Sequence, residues 1–148
     1  MKKLIFALMI LININTINAA DETTLLESVG FLSASHCLLT TNGLGATWDS
    51  WITDGYTDEE FEEYTLSYQD IIVATKDQLN SLHRYGQLNY QDKQYIGELI
   101  EIYDALYEQS RASLKYSYTK KDSDHNTYHS LRKKTINKIN VLFETSYE

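Results

Sequence analysis

Proline is absent from this 148-residue chain, cysteine occurs once and glycine six times. Without proline the sequence lacks its strongest helix breaker, which favours long, uninterrupted helices. One cysteine, Cys37, excludes an internal disulfide framework and any multi-cysteine metal or iron–sulfur site. Positive charge is scarce, with 13 Lys and Arg against 21 Asp and Glu and a net charge of −8. That balance argues against a duplex nucleic-acid partner, because such proteins work by neutralising phosphates. Long apolar runs are missing as well. The longest, Leu4–Ile12, has nine residues. A membrane-spanning helix needs about 20, so no span is expected in the mature chain. There is no P-loop, no dinucleotide-binding glycine fingerprint, no Gly-x-Ser-x-Gly elbow and no Cys-x-x-Cys-His haem signal. Neither enzymatic activity nor a cofactor is expected.

What is present begins with an export pattern. Met1-Lys2-Lys3 is a short basic start, the apolar run follows, and small Ala19 and Ala20 precede Asp21. Basic start, short apolar core and small-residue cleavage site together describe a Sec-type signal peptide over residues 1–20. No cysteine sits near the cleavage site to accept a lipid, so the expected location is periplasmic or secreted. The expected mature domain, residues 21–148, is electrically polarised. Residues 21–110 hold 17 acidic and 3 basic side chains, whereas residues 111–148 hold 4 acidic and 8 basic. Such asymmetry steers association and partner choice.

Four amphipathic helices can be read along the mature chain. The first spans about Thr24–Thr41, with Leu25, Val29, Leu32, His36 and Leu39 at helical spacing, closed by Asn42-Gly43. A loop over Leu44–Tyr56, punctuated by Gly45 and Asp54-Gly55, follows. Thr57 with Glu60 forms a capping box that opens the second helix, whose stripe runs from Phe61 to Leu82 and stops at Gly86. Asn89 caps a third helix ending near Thr119, and Asp122, Ser123 or Asp124 caps a fourth. Short links between long helices make neighbours antiparallel. The expected fold is therefore all-α, an up-down-up-down four-helix bundle with helices 2 and 3 as a long central hairpin.

Candidate sites are few. Trp48 to Tyr64 contains both tryptophans, Trp48 and Trp51, with Tyr56 beside them and Asp58, Glu59, Glu62 and Glu63 interleaved, and no basic residue. Large aromatics are enriched at binding hot spots, and an acidic field attracts a basic protein partner. The competing reading is that the two indoles plug the end of the bundle while the acids solvate a helix start. His125 and His129 stand four apart on one helical face, a spacing that chelates zinc or copper when further ligands approach. The competing reading there is a solvated polar turn. His36 and Cys37 adjoin, but neighbours on a helix point about 100° apart, so structural burial of Cys37 is expected rather than Cys–His chemistry. An exposed Cys37 would instead imply a covalent dimer. Twelve Tyr against four Phe suggest a slim core with rim-exposed rings, which also leaves a homodimer open. The expectation is thus an exported, non-enzymatic binding protein of inhibitor or immunity-protein type. The alternative is a metal- or small-ligand-binding bundle of the periplasm using His125 and His129.

Overall fold

In the computed structural model, which describes residues 22–144, four helices follow one another: α1 (Glu22–Ile52), α2 (Asp58–Tyr85), α3 (Tyr90–Thr119) and α4 (Asp122–Phe143). The signal-peptide reading of residues 1–20 lies outside the described residues. The chain divides into two units, Met1–Ser33 and Ala34–Glu148. In the first, residues 22–33 are helical. In the second, α1 from Ala34 onward joins α2, α3 and α4 in the expected all-α four-helix bundle. Among the described residues no helix is long and apolar enough to cross a membrane.

Local chemistry sets most helix ends. The Thr57 hydroxyl accepts from the Glu60 amide at 3.2 Å while the Glu60 carboxylate accepts from the Thr57 amide at 2.9 Å, completing the expected capping box. Asn89 caps α3 by accepting from the Asp92 amide at 2.9 Å. At α4 the expectation is corrected: Lys121 occupies the cap position without a side-chain bond. Asp124 instead accepts from the Thr119 hydroxyl at 2.7 Å and pairs with Lys115 at 2.7 Å, tying the end of α3 to the start of α4.

The main departure is at α1, which does not stop at Asn42-Gly43 but runs eleven residues beyond Thr41, to Ile52. Both glycines are helical and serve close packing. A Cβ at Gly43 would lie 2.0 Å from the Tyr68 hydroxyl oxygen of α2, and one at Gly45 would lie 2.9 Å from the Arg132 guanidinium of α4. Each glycine weakens the helix by about 1 kcal/mol, an expense set against contact with the neighbouring helices. The real stop is a Schellman turn. Asp54 adopts the left-handed conformation (φ 58°), its amide donates to the Trp51 carbonyl at 3.1 Å, and the Gly55 amide donates to the Ser50 carbonyl at 2.7 Å. The expected loop shrinks to residues 53–57.

Ion pairs fix the antiparallel register between helices. Lys76 meets Asp104 at 2.8 Å between α2 and α3, and Lys138 meets Glu101 at 2.6 Å between α3 and α4. Exposed pairs of this kind contribute roughly 0–1 kcal/mol each, so they position the helices more than they hold them. Glu101 and Asp104 thus sit on a hydrated face, as their flanking register implies.

Burial supplies the cohesion, and it is organised in two clusters. One is built on Cys37 and Leu44 of α1, Ile72 of α2, Leu99, Tyr103 and Leu106 of α3, and Ile139 of α4. The other is built on Trp48 and Trp51, Phe61, Ala112, Leu114 and Tyr128. Where the clusters meet along α2, α3 and α4, each helix contributes a buried polar residue, Thr65, Gln109 and Thr135, and α1 adds Thr41 between Cys37 and Leu44. Thr41 and Thr135 satisfy themselves by donating to carbonyls one turn earlier, at 2.8 and 2.9 Å. Among the described residues, the Thr65 hydroxyl, both ends of the Gln109 carboxamide, the Gln69 carboxamide nitrogen and the Tyr128 hydroxyl make no well-aligned hydrogen bond, and the Tyr128 hydroxyl has only loose contacts with Gln109 and Arg132. The bundle has a polar waist.

The first helix also departs from its expected apolar register, since Leu39 is 70% exposed while Cys37, Thr40, Thr41 and Leu44 turn inward. The reason lies in the extra turns of α1, which align the helix on its tryptophans rather than on its leucines.

Candidate functional site

The segment from Trp48 to Tyr64 divides into a buried half and an exposed half. Trp48 and Trp51 are only 3% and 8% exposed, so the expectation of two surface indoles is corrected: they plug the end of the bundle. The extension of α1 past Gly45 is the cause, because it carries both rings inward. Trp48 stacks on Tyr128 with centroids 3.8 Å apart, meets Trp51 edge-on at 5.6 Å and lies 5.5 Å from Tyr116. Trp51 stacks on Phe61 at 4.5 Å. Its indole N–H donates to Asp58 at 2.7 Å, and Lys120, which also bonds Asp58 at 3.1 Å, stands 4.2 Å over the Trp51 ring. Asp58 is therefore a lock between α1, α2 and the end of α3. The Trp51 bond, then Lys120, hold its carboxyl below the usual range.

Phe61 is buried with the indoles, and the acidic residues that follow Asp58 lie toward solvent. Glu59 and Glu63 are exposed and Glu62 is half-buried. Among the described residues none of the three forms an ion pair with Lys or Arg, and Glu62 instead takes the hydroxyl of Tyr118, raising the Tyr118 pKa. Tyr56 is half-buried with its ring 5.0 Å from that of Tyr64. Tyr64 is 45% and Tyr118 64% exposed, so tyrosines rather than tryptophans supply the aromatic part of this acidic face. Their excess over Phe was the signal that could have found them. Comparison with protein-family models, with curated proteins and with solved structures finds no match for this chain.

His125 and His129 do come together. Their Nε2 atoms are 3.1 Å apart, and both rings lie 5.8 Å from Trp48. Tyr116 flanks His125 at 5.2 Å and Tyr128 flanks His129 at 5.2 Å. Burial first, then the neighbouring imidazole and Arg132, lower the His129 pKa, with Asp49 opposing. Among the described residues no group of three or more His, Cys, Asp or Glu side chains gathers to hold a metal. A closed four-ligand site of the structural-zinc kind is therefore not formed by these residues.

The other sequence candidate, His36 with Cys37, forms no nucleophile–base pair. Cys37 is fully buried, and burial pushes its thiol up to about 11, so the thiolate needed for nucleophilic attack or for disulfide exchange is not populated near neutral pH. Its burial also removes the route to a covalent dimer through this residue. His36 Nδ1 bonds the buried Tyr103 hydroxyl, which gives one interior tyrosine its partner.

Burial also lowers the His36 pKa. With His36 and His129 both below 6.5, the folded chain resists protonation while the unfolded chain takes protons at the ordinary value. The associated stability is present above about pH 6.5 and declines as pH falls through the folded-state values. Asp58, Glu101 and Asp124, all held below the carboxylate range by bonds to cations or to Trp51 and Thr119, extend the same trend to lower pH. Thermal melts followed by circular dichroism are expected to give a lower Tm at pH 5.5 than at pH 7.5. An equal or higher Tm at pH 5.5 would mean that the fold does not hold these imidazoles below their ordinary value.

Proposed function

We propose that this chain is an exported, non-enzymatic binding protein whose acidic face on the first turns of α2 docks a basic partner protein, in the manner of an inhibitor or immunity protein. The observation that carries the reading is the exposure of Tyr64 and Tyr118 beside Glu59, Glu62 and Glu63, carboxylates that no lysine or arginine among the described residues neutralises. Tyrosine offers rigid, amphipathic contact area, and uncompensated charge accelerates encounter with a partner of opposite sign. The capping box and the Asp58 lock seat this face on rigid helix rather than on a mobile loop. The basic, apolar and small-residue pattern of residues 1–20 supports export to the periplasm or beyond.

Affinity capture from envelope and secreted fractions at low and high salt tests it. A basic protein retained by the native chain and released by salt is expected. Its association is expected to be slowed about tenfold at low salt by Glu59→Lys with Glu63→Lys. Tyr64→Ala is expected to speed dissociation, since contact area sets the off-rate. Retention unchanged by both changes, or no retained basic protein, would discard this face as an interface.

A further inference from the structure

We propose that His125 and His129 form an open two-imidazole chelate for a borderline divalent cation, copper(II) in preference to zinc(II). Their Nε2 atoms are 3.1 Å apart whereas their ring centroids are 4.4 Å apart, so the rings converge on their nitrogen tips. A cation about 2.05 Å from each nitrogen, an ordinary metal–imidazole distance, would see them at roughly 98°, between the square-planar and tetrahedral angles. In the free protein one Nε2–H donates to the other Nε2, and a cation takes its place once the donor ring carries its proton on Nδ1 instead, which leaves both Nε2 lone pairs for the cation. Imidazole ligands suit copper and zinc, and copper(II) stands above zinc(II) in affinity for a given nitrogen site.

Preorganisation comes from the aromatic plug. Trp48 lies 5.8 Å from both rings, and Tyr116 and Tyr128 close the outer sides. The imidazoles therefore surrender little rotamer freedom on binding. His129 is exposed and His125 half-buried, so the remaining coordination positions open to water or to a donor from another molecule. Arg132 and Asp49, 3.9 Å apart, flank the pair with opposite charges. This site is separate from the acidic face and does not depend on it.

The test is a titration of the untagged full chain with copper(II) and zinc(II), followed by calorimetry and by tryptophan emission, which copper quenches from the neighbouring Trp48. One equivalent is expected to bind, copper more tightly than zinc, and magnesium not at all. His129→Gln and His125→Gln are each expected to weaken copper binding about tenfold or more, while His83→Gln leaves it unchanged. Circular dichroism of each variant confirms that the helices persist. Lowering the pH from 7.5 to 5.5 is expected to weaken binding, because protons compete for the same lone pairs. Binding that survives both substitutions at His125 and His129, or a native chain that binds no copper, would overturn the proposal.

Discussion

Trp48→Ala is expected to destabilise the protein by about 3–5 kcal/mol, the range for removing a large aromatic from a packed interior. The indole is 3% exposed and touches rings from three other helices: Phe61 of α2, Tyr116 of α3 and Tyr128 of α4. Truncation removes the transfer energy of the ring and leaves a void that four separate helices would have to move together to fill. Since whole domains are stable by only about 5–15 kcal/mol, the variant should lose a large share of its stability. Urea unfolding monitored by helix content gives the number. A loss below about 1 kcal/mol would mean that the ring is solvated, and the two-indole docking surface read from the sequence would return as the better account.

Gln109→Met is expected to act in the opposite direction and stabilise the fold by about 1–3 kcal/mol. Gln109 is fully buried, and among the described residues neither end of its carboxamide makes a well-aligned hydrogen bond. Both polar atoms have been taken out of water with only a loose contact to the Tyr128 hydroxyl to replace the lost bonds, a cost that methionine does not incur. Methionine is also unbranched and close in length, so the exchange asks little of the packing around it. The neighbouring groups set the sign. The Tyr128 hydroxyl faces the Gln109 side chain and Arg132, both of which act to lower its pKa, although burial dominates and raises it to about 12. If the same urea experiment shows Gln109→Met to be destabilising, the carboxamide is bonded in solution and the waist is hydrated.

Much of the fold was legible in the sequence because its signals are local. Thr57 with Glu60 and Asn89 are caps whose partners lie three residues away, and both were found where the spacing put them. The stripe Ile96, Leu99, Tyr103 and Leu106 on α3 is buried as its period requires. The errors came from residues whose role is decided by another helix. Gly43 and Gly45 resemble helix stops along the chain, yet they answer to Tyr68 and Arg132, which lie 25 and 87 positions away. Asp54-Gly55 is a turn signal along the chain, but only the continuation of α1 past Gly45 makes it the end of that helix rather than one of several loop punctuations. Thr65, Gln109 and Thr135 lie in the apolar registers of their helices, where a polar residue reads as an interruption and not as a layer. The spacing of His125 and His129 was equally plain, but the convergence of their nitrogens is set by rotamers against Trp48, Tyr116 and Tyr128, which no spacing reveals.

The polar waist bears on how four helices find one alignment. Sliding α3 by a single turn, about 5.4 Å, would carry the Gln109 carboxamide away from the Tyr128 hydroxyl and against the apolar members of one of the two hydrophobic clusters. There it would meet only hydrocarbon and rings, and the displaced leucines would face hydroxyls in return. Each slipped arrangement is thus penalised twice, whereas a bundle with a uniformly apolar interior tolerates slippage at little cost. The same side chain whose removal is expected to raise stability is therefore the mark by which the folding chain distinguishes its native alignment from its near misses.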